Sequence, residues 1–303
     1  MKGIRNKYLR SEALLFLTAI IWGFAFVAQR VGMEYIGPYT FNCIRFALGS
    51  LVLIPILVYR TCLKVKPGDE PPDEKILSPW KAGIMAGIVL FCGASLQQVG
   101  IVFTTAGKAG FITGLYVIIV PAIGIFRRQR AGKLLWAGAL LALAGMYFLS
   151  IIGGFRLAPG DFLIFLSAFC WAAHVQVIDH FSGRVDVLKL AAIQFGVCSL
   201  ASLAFAIVKE IIVLNAIIQA AVPILYGGLL SVGIAYTLQV YAQKTAHPSH
   251  AAIILSLETV FAAAGGWLFL GEILSIRALA GCALMLFGML LAQLSGQEKP
   301  GHS

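Results

Sequence analysis

One order of apolar segments occurs twice in this chain, five spans each time, and no other feature restricts the possible folds as far. Phe16-Leu17-Thr18-Ala19 followed by Trp22 reappears 149 residues on as Phe165-Leu166-Ser167-Ala168 followed by Trp171. The same offset carries Arg45-Phe46 and Ser50-Leu51 onto Gln194-Phe195 and Ser199-Leu200. After a small change of length, Thr105-Ala106 recurs at Thr245-Ala246, and Gly138, Leu141, Leu143, Gly145 and Met146 recur at Gly281, Leu284, Leu286, Gly288 and Met289. Any one match is weak among membrane-like segments; their ordered recurrence is the signal. A repeat with an odd number of spans enters the bilayer from the opposite face the second time, which predicts a pseudo-two-fold axis in the membrane plane and a site between the halves. We therefore expect an all-α polytopic membrane protein of ten transmembrane helices, with a first five-helix repeat over 1–153 and a second, inverted one over 154–303.

The segments qualify as spans on composition. With 60% hydrophobic and 12% charged residues, the chain lies outside the range of soluble globular domains. Charge-free stretches cover 14–29, 82–107, 109–126, 134–155, 162–178, 190–208 and 278–297. Each approaches the ~20 residues that a helix needs to cross ~30 Å of hydrocarbon. Two further spans contain a charge, Arg45 within 37–59 and Glu258 within 250–270. The stretch 211–241 is too long for one helix, and divides into an interfacial segment over 211–219 and a span over 220–243.

Basic residues set the orientation, because short cytoplasmic loops collect Lys and Arg. With both termini inside, 17 of the 22 basic residues outside the spans fall on the cytoplasmic side. The net charge of +10 then reflects orientation and anionic lipid headgroups, and a nucleic-acid partner is not required. The basic N-terminus followed by an apolar run resembles a signal peptide, but no small-x-small site follows and the repeat needs this helix. Six scattered cysteines suggest neither a disulfide framework nor a zinc site. The polar stretch 60–80, with Pro67, Gly68, Pro71 and Pro72, reads as a cytoplasmic loop. Other connections, such as 105–108 and 271–274, are short and make consecutive helices antiparallel neighbours.

Several polar side chains stand where hydrocarbon penalises them. Arg45 lies about eight residues into the second span, at a depth where an ionised group costs several kcal/mol unless it faces a cavity or a partner. It is either a substrate-binding group or a structural staple. Glu258 sits at a similar depth in the ninth span and could bind and release protons, or could simply bond neighbouring helix ends. His174, three residues after Trp171, could titrate near neutral pH or be a packing residue. Trp22 and Trp171 are near mid-helix although indoles prefer the headgroup level, so they either wall a cavity or pack the halves together. Gln97, Gln98, Tyr116, Tyr236 and Gln239 add hydrogen-bonding groups, the last two sharing one helical face. Enzyme-like patterns are poor. His174 and Asp179 are separated by a rotation of roughly 140° on a helix, and His247 and His250 have no carboxylate or Cys nearby to complete a metal site.

Taken together, the ten spans, Trp22, Trp171, Arg45-Phe46, Thr105-Ala106, Thr245-Ala246, Leu257-Glu258 and Gly271-Glu272 resemble the EamA-type branch of the drug/metabolite transporter superfamily over residues 12–294. The resemblance implies a secondary transporter, exporting small metabolites across a bacterial inner membrane by alternating access. The family commonly has proline after the glutamate of the ninth helix. Here Thr259 follows Glu258 and removes the proline that would break the ninth helix, whereas Val120-Pro121 keeps such a break in the matching fourth helix. On this reading Trp22, Arg45, Gln97, Gln98, Tyr116, Trp171, His174, Tyr236 and Gln239 bind the substrate, and Glu258 couples it to protons. Expected partners are a small molecule, membrane lipids and protons, with no cofactor or metal, in a monomer or homodimer. A multi-span enzyme acting on lipids is the alternative, and would need a catalytic pair on one face. A non-transporting receptor or scaffold would have its cavity filled by side chains.

Overall fold

The computed structural model describes residues 2–62, 78–126, 133–150, 158–244, 251 and 254–294, and every regular element among them is a helix. In chain order these are α1 (Lys2–Gly32), α2 (Pro38–Cys62), α3 (Pro79–Ile101), α4 (Ala106–Thr113), α5 (Tyr116–Phe126), α6 (Lys133–Ser150), α7 (Pro159–Ser182), α8 (Val187–Lys209), α9 (Leu214–Gln219) and α10 (Ala221–Leu225). A π-helical segment (Tyr226–Tyr236), α11 (Thr237–Ala242), α12 (Glu258–Leu270) and α13 (Ile276–Leu294) complete the order. Six helical stretches are long and apolar enough to cross a bilayer: Leu9–Gly32, Pro38–Arg60, Pro79–Ile101, Pro159–Ser182, Val187–Lys209 and Ala221–Ala242. Four more apolar stretches, Ala106–Val120, Trp136–Leu149, Glu258–Leu270 and Ile276–Leu291, are shorter.

The starts of these helices follow local chemistry. Pro38, Pro79 and Pro159 occupy first-turn positions, where a missing N–H costs nothing. Asp186 caps α8 by accepting from Leu188 N and Lys189 N, and Thr105 caps α4 by accepting from Lys108 N. The expected 105–108 connection is therefore the first turn of a helix. At the other end of α12, Gly271 adopts φ 63°, a left-handed conformation open to glycine, and lets Glu272 N close on Gly266 O at 3.0 Å.

The helical stretches 106–126 and 254–270 are each interrupted by a turn. Gly114 and Leu115 form a turn between α4 and α5, tightened by Leu115 N to Ile112 O and Val117 N to Gly114 O. Ser256 and Leu257 form the other, immediately before Glu258, with Thr259 N to Ser256 O at 3.0 Å and Val260 N to Leu257 O at 3.1 Å. Three-residue hydrogen bonds of this kind shorten and redirect a helix without proline. The proline expectation thus needs correcting on both sides, since a break exists where Thr259 replaces proline, and α5 runs through Pro121 after breaking several residues earlier. The 211–243 stretch divides as expected into a short exposed helix, α9, and a span, but that span carries eleven residues of π-helix. The central part of the 60–80 loop, residues 151–157 around the boundary expected between the repeats, and His247 with His250 lie outside the described residues.

Packing is pairwise. α2 lies on α8, α4 on α12, and α6 on α13. α1 packs against α12, and α7 packs against α4 and α5. α3 rests on α7 and α8, while the π segment rests on α1 and α2. Small residues set the closest approaches: a β-carbon on Gly83 or Gly87 would collide with Ile193 or Val197 of α8, and one on Gly110 with Ala262 of α12. Large apolar side chains such as Leu51, Val58, Leu200, Ile207, Trp267 and Phe269 are exposed around the outside. Thr18, Gln29, Asn42, Arg45, Gln98, His174, Gln194 and Glu258 are buried inside. An apolar exterior around a polar centre is the arrangement expected of a multi-pass membrane protein, because lipid replaces water as the outer solvent.

Candidate functional site

The polar centre surrounds a cavity lined by Trp22, Ala25, Phe26, Gln29, Arg45, Gln97, Thr113, Tyr116, Trp171, His174, Val175, Ser231, Tyr236, Gln239, Leu255 and Glu258. Its water-accessible volume is about 40 Å³. One water needs roughly 10–15 Å³ on that measure, so the space admits a few waters, and a metabolite would have to part the walls. Nine of the ten residues singled out in the sequence meet here. Gln98 does not: neighbouring residues on a helix point about 100° apart, and with Gln97 facing the cavity, Gln98 turns away and donates to Gln29 O at 3.3 Å.

Two indoles and one phenol form the aromatic wall. The Tyr236 ring lies 4.5 Å from Trp22 and 6.2 Å from Trp171, centroid to centroid. His174 meets Tyr236 and Trp171 edge-on, at 6.1 and 6.2 Å. Each indole N–H is used. Trp22 Nε1 donates to Ser231 O at 3.2 Å, and Trp171 Nε1 donates to Gln97 Oε1 at 2.7 Å. Gln97 Nε2 continues to Gln29 Oε1 at 2.9 Å, so α7, α3 and α1 are tied by a relay of side-chain amides. Ser231 lies within the π segment, where the usual helical acceptor pattern is altered and a carbonyl becomes available to an outside donor.

Arg45 is 2% exposed and Glu258 4%. Arg45 Nε donates to Asn42 Oδ1 at 3.0 Å, while Asn42 Nδ2 donates to Ala94 O at 3.1 Å and fixes the pair to α3. The guanidinium carbon stands 4.8 Å from the Phe46 ring centre and 5.5 Å from that of Phe41, within cation–π range. Glu258 opens α12 after the Ser256–Leu257 turn, and its carboxyl lies beside the hydroxyl of Tyr116, which opens α5 after the Gly114–Leu115 turn. That hydroxyl makes no well-aligned hydrogen bond, nor do Thr113 Oγ1 and Gln239 Oε1 among the described residues. The ion pairs among those residues are Arg60–Asp186 and Lys108–Asp161, so neither Arg45 nor Glu258 has an opposite charge within 4.0 Å. His174 Nε2 donates to Gln194 Oε1 at 2.9 Å, joining His174 to the residue 149 positions after Arg45.

Gln29 and Ser231 carry no mark in the sequence that separates them from other polar residues of the spans. Gln29 ends a charge-free stretch and passes for an interface residue, while Ser231 acts through its backbone. No group of three or more His, Cys, Asp or Glu capable of holding a metal occurs among the described residues.

A multi-pass helical protein with a small, aromatic-walled polar cavity at its centre is a carrier-like architecture. The chain belongs to the EamA-like transporter family, whose sequence profile matches residues 9–151 and 158–294. It is similar to an uncharacterized transporter of Archaeoglobus fulgidus, 31% identical over 301 residues that cover 97% of this chain and 88% of the relative. The uncharacterized transporter YoaV of Bacillus subtilis is 24% identical, with 90% and 92% covered. A WAT1-related chloroplastic protein of Arabidopsis thaliana is 22% identical, with 89% and 66% covered. A solved crystal structure shares the fold with a TM-score of 0.69 at 20% identity, over 95% of this chain and 99% of that one. The protein is a membrane transporter.

Proposed function

We propose that it is a secondary transporter exporting small metabolites across a bacterial inner membrane by alternating access. In this reading its ten spans form two inverted five-helix halves, 1–153 and 154–303, and both termini are cytoplasmic. The observation that carries the reading is the central cavity, whose lining comes from the first four spans and from the sixth, eighth and ninth. The packing supports the inverted repeat. α1 meets α12 as α7 meets α4 and α5, and α3 rests on α7 and α8 as the π segment rests on α1 and α2, so the neighbours persist when the halves are exchanged. The remaining pairs, α2 with α8, α4 with α12 and α6 with α13, join equivalent helices. Such a plan lets one half rock against the other around a fixed site. Glu258 is the proposed proton-coupling group, on the strength of its burial in the cavity wall without an ion-pair partner among the described residues.

Metabolite profiling of cells lacking and cells overproducing the protein tests the reading without presuming a substrate. At least one small metabolite should accumulate inside the deletion strain and outside the overproducer, and should then cross reconstituted vesicles. An unchanged metabolite distribution in both strains rejects the proposal.

A further inference from the structure

Arg45 is held in a way that commits one edge of its guanidinium and leaves the other open. Nε is engaged by Asn42 Oδ1, and Asn42 is itself locked to Ala94 O. The Phe46 and Phe41 rings pack near the guanidinium carbon. No hydrogen bond to a described residue engages the two terminal Nη groups, no carboxylate lies within ion-pair distance among those residues, and Arg45 lines the cavity. A buried cation with unused donors costs several kcal/mol unless something in the cavity accepts from it. The two Nη groups project parallel N–H bonds, a fork that fits two coplanar oxygens and makes carboxylate its natural complement. Arg45 is the one Lys or Arg among the described lining residues, which disfavours a dianion such as a phosphate monoester, since a second negative charge would stay uncompensated. Trp22, Trp171 and Tyr236 share that lining, and their clustered rings suit a planar apolar body.

We infer that the cavity, once its walls part, takes a small ring-bearing monocarboxylate, its carboxylate gripped end-on by Arg45 and its ring against the Trp22–Tyr236–Trp171 wall. The inference rests on the cavity being the transport site, and names the chemical class that the site selects.

The test is binding of neutral, cationic and anionic probes of matched shape to the full-length protein in lipid nanodiscs, by calorimetry. Phenylacetate and 3-phenylpropionate should bind at least about tenfold more tightly than phenylacetamide or phenethylamine. Arg45→Gln should lower the acids to the level of the amide while leaving the amide within about threefold, and Arg45→Lys, which keeps charge but loses the fork, should fall between. Equal binding of acid and amide by the unaltered protein overturns the inference, as does failure of both acids to bind. Retention of the preference in Arg45→Gln also overturns it. The comparison on unaltered protein decides the matter even if a variant does not fold. Because binding needs neither a gradient nor a second compartment, acid-selective binding without vesicle transport would defeat the transport reading alone. Transport of amide and amine but not acid would defeat this inference alone.

Discussion

The acidic side chains at the helix ends and the one in the cavity are the same chemistry in opposite circumstances. Glu272 receives Ala106 N at 2.7 Å and Gly107 N at 3.0 Å, and so neutralises the open N-terminus of α4. Glu210 does the same for α2, receiving Tyr39 N, Thr40 N and the Thr40 hydroxyl within 2.8 Å. Asp161 accepts from Thr104 Oγ1 and stands 3.8 Å from Lys108 Nζ. Glu272 and Glu210 thus complement orphan N–H groups with both oxygens engaged, and Asp161 has a hydroxyl and a cation beside it, although its Oδ2 makes no hydrogen bond among the described residues. Glu258, more deeply buried than Glu272 or Glu210, has the Tyr116 hydroxyl beside it, and that hydroxyl makes no hydrogen bond among the described residues. The arginines divide the same way: Arg60 pairs with Asp186, whereas Arg45 has an amide and two rings. Saturated partners mark side chains that hold the fold, and unsaturated ones facing a cavity mark side chains that wait for a ligand or a proton.

The largest expected effect breaks the comparison at the cavity. Glu258→Gln should reduce gradient-driven accumulation to the level of protein-free vesicles while leaving substrate exchange across the membrane, because the amide mimics a carboxyl that cannot release its proton. Thermal stability should change little, as no ion pair among the described residues is lost. Vesicles with and without an imposed pH gradient separate the two activities. Normal proton-dependent transport by the variant would return Glu258 to the structural group.

A middle-sized effect is expected at the rim. Glu272→Gln keeps an acceptor for one of the two N–H groups but turns a donor toward the other, and removes the charge that complements α4. The loss should be about 1–3 kcal/mol of stability, read as a lowered unfolding midpoint in detergent. Binding of a cavity ligand should persist at temperatures where the variant is folded. A loss of binding in fully folded protein would mean that the rim and the cavity are not separable.

Much of the cavity was legible because hydrocarbon makes polar residues conspicuous. Arg45, Glu258, His174 and Gln97 could each be picked out by their cost at mid-span, and the repeat supplied the second tryptophan once the first was noticed. The rest of the site acts through the backbone or through rotation about the helix axis. The interruptions before Tyr116 and Glu258 come from short-range hydrogen bonds that no proline announces, and Pro121 pointed to the wrong place. The carbonyl of Ser231 reaches Trp22 from a π-helical segment whose sequence, Tyr-Gly-Gly-Leu-Leu-Ser-Val-Gly-Ile-Ala-Tyr, reads as an ordinary apolar span. Gln98 could have been separated from Gln97, since a helix cannot aim adjacent residues at one cavity, but which of the two faces inward depends on how α3 is rotated against α1 and α7.

The smallest expected effect sharpens the comparison from the satisfied side. Arg60 and Asp186 meet at 3.2 Å with side chains 25% and 16% exposed, where water screens the attraction and ordering a long side chain offsets part of it. Asp186 keeps its bonds to Leu188 N at 2.9 Å and Lys189 N at 3.1 Å when the arginine is gone. Arg60→Gln should therefore cost no more than about 0.2–1 kcal/mol, whereas Asp186→Ala, which removes the cap of α8 as well, should cost about 1–2 kcal/mol. The double variant should match Asp186→Ala alone, because Arg60 then has no acidic partner left to lose. Unfolding midpoints of the three variants in one detergent provide the measurement. If Arg60→Gln proved as damaging as Asp186→Ala, the ion pair rather than the cap would be fastening α2 to α8, and the rule that saturated helix-end carboxylates act through backbone N–H groups would fail at this site.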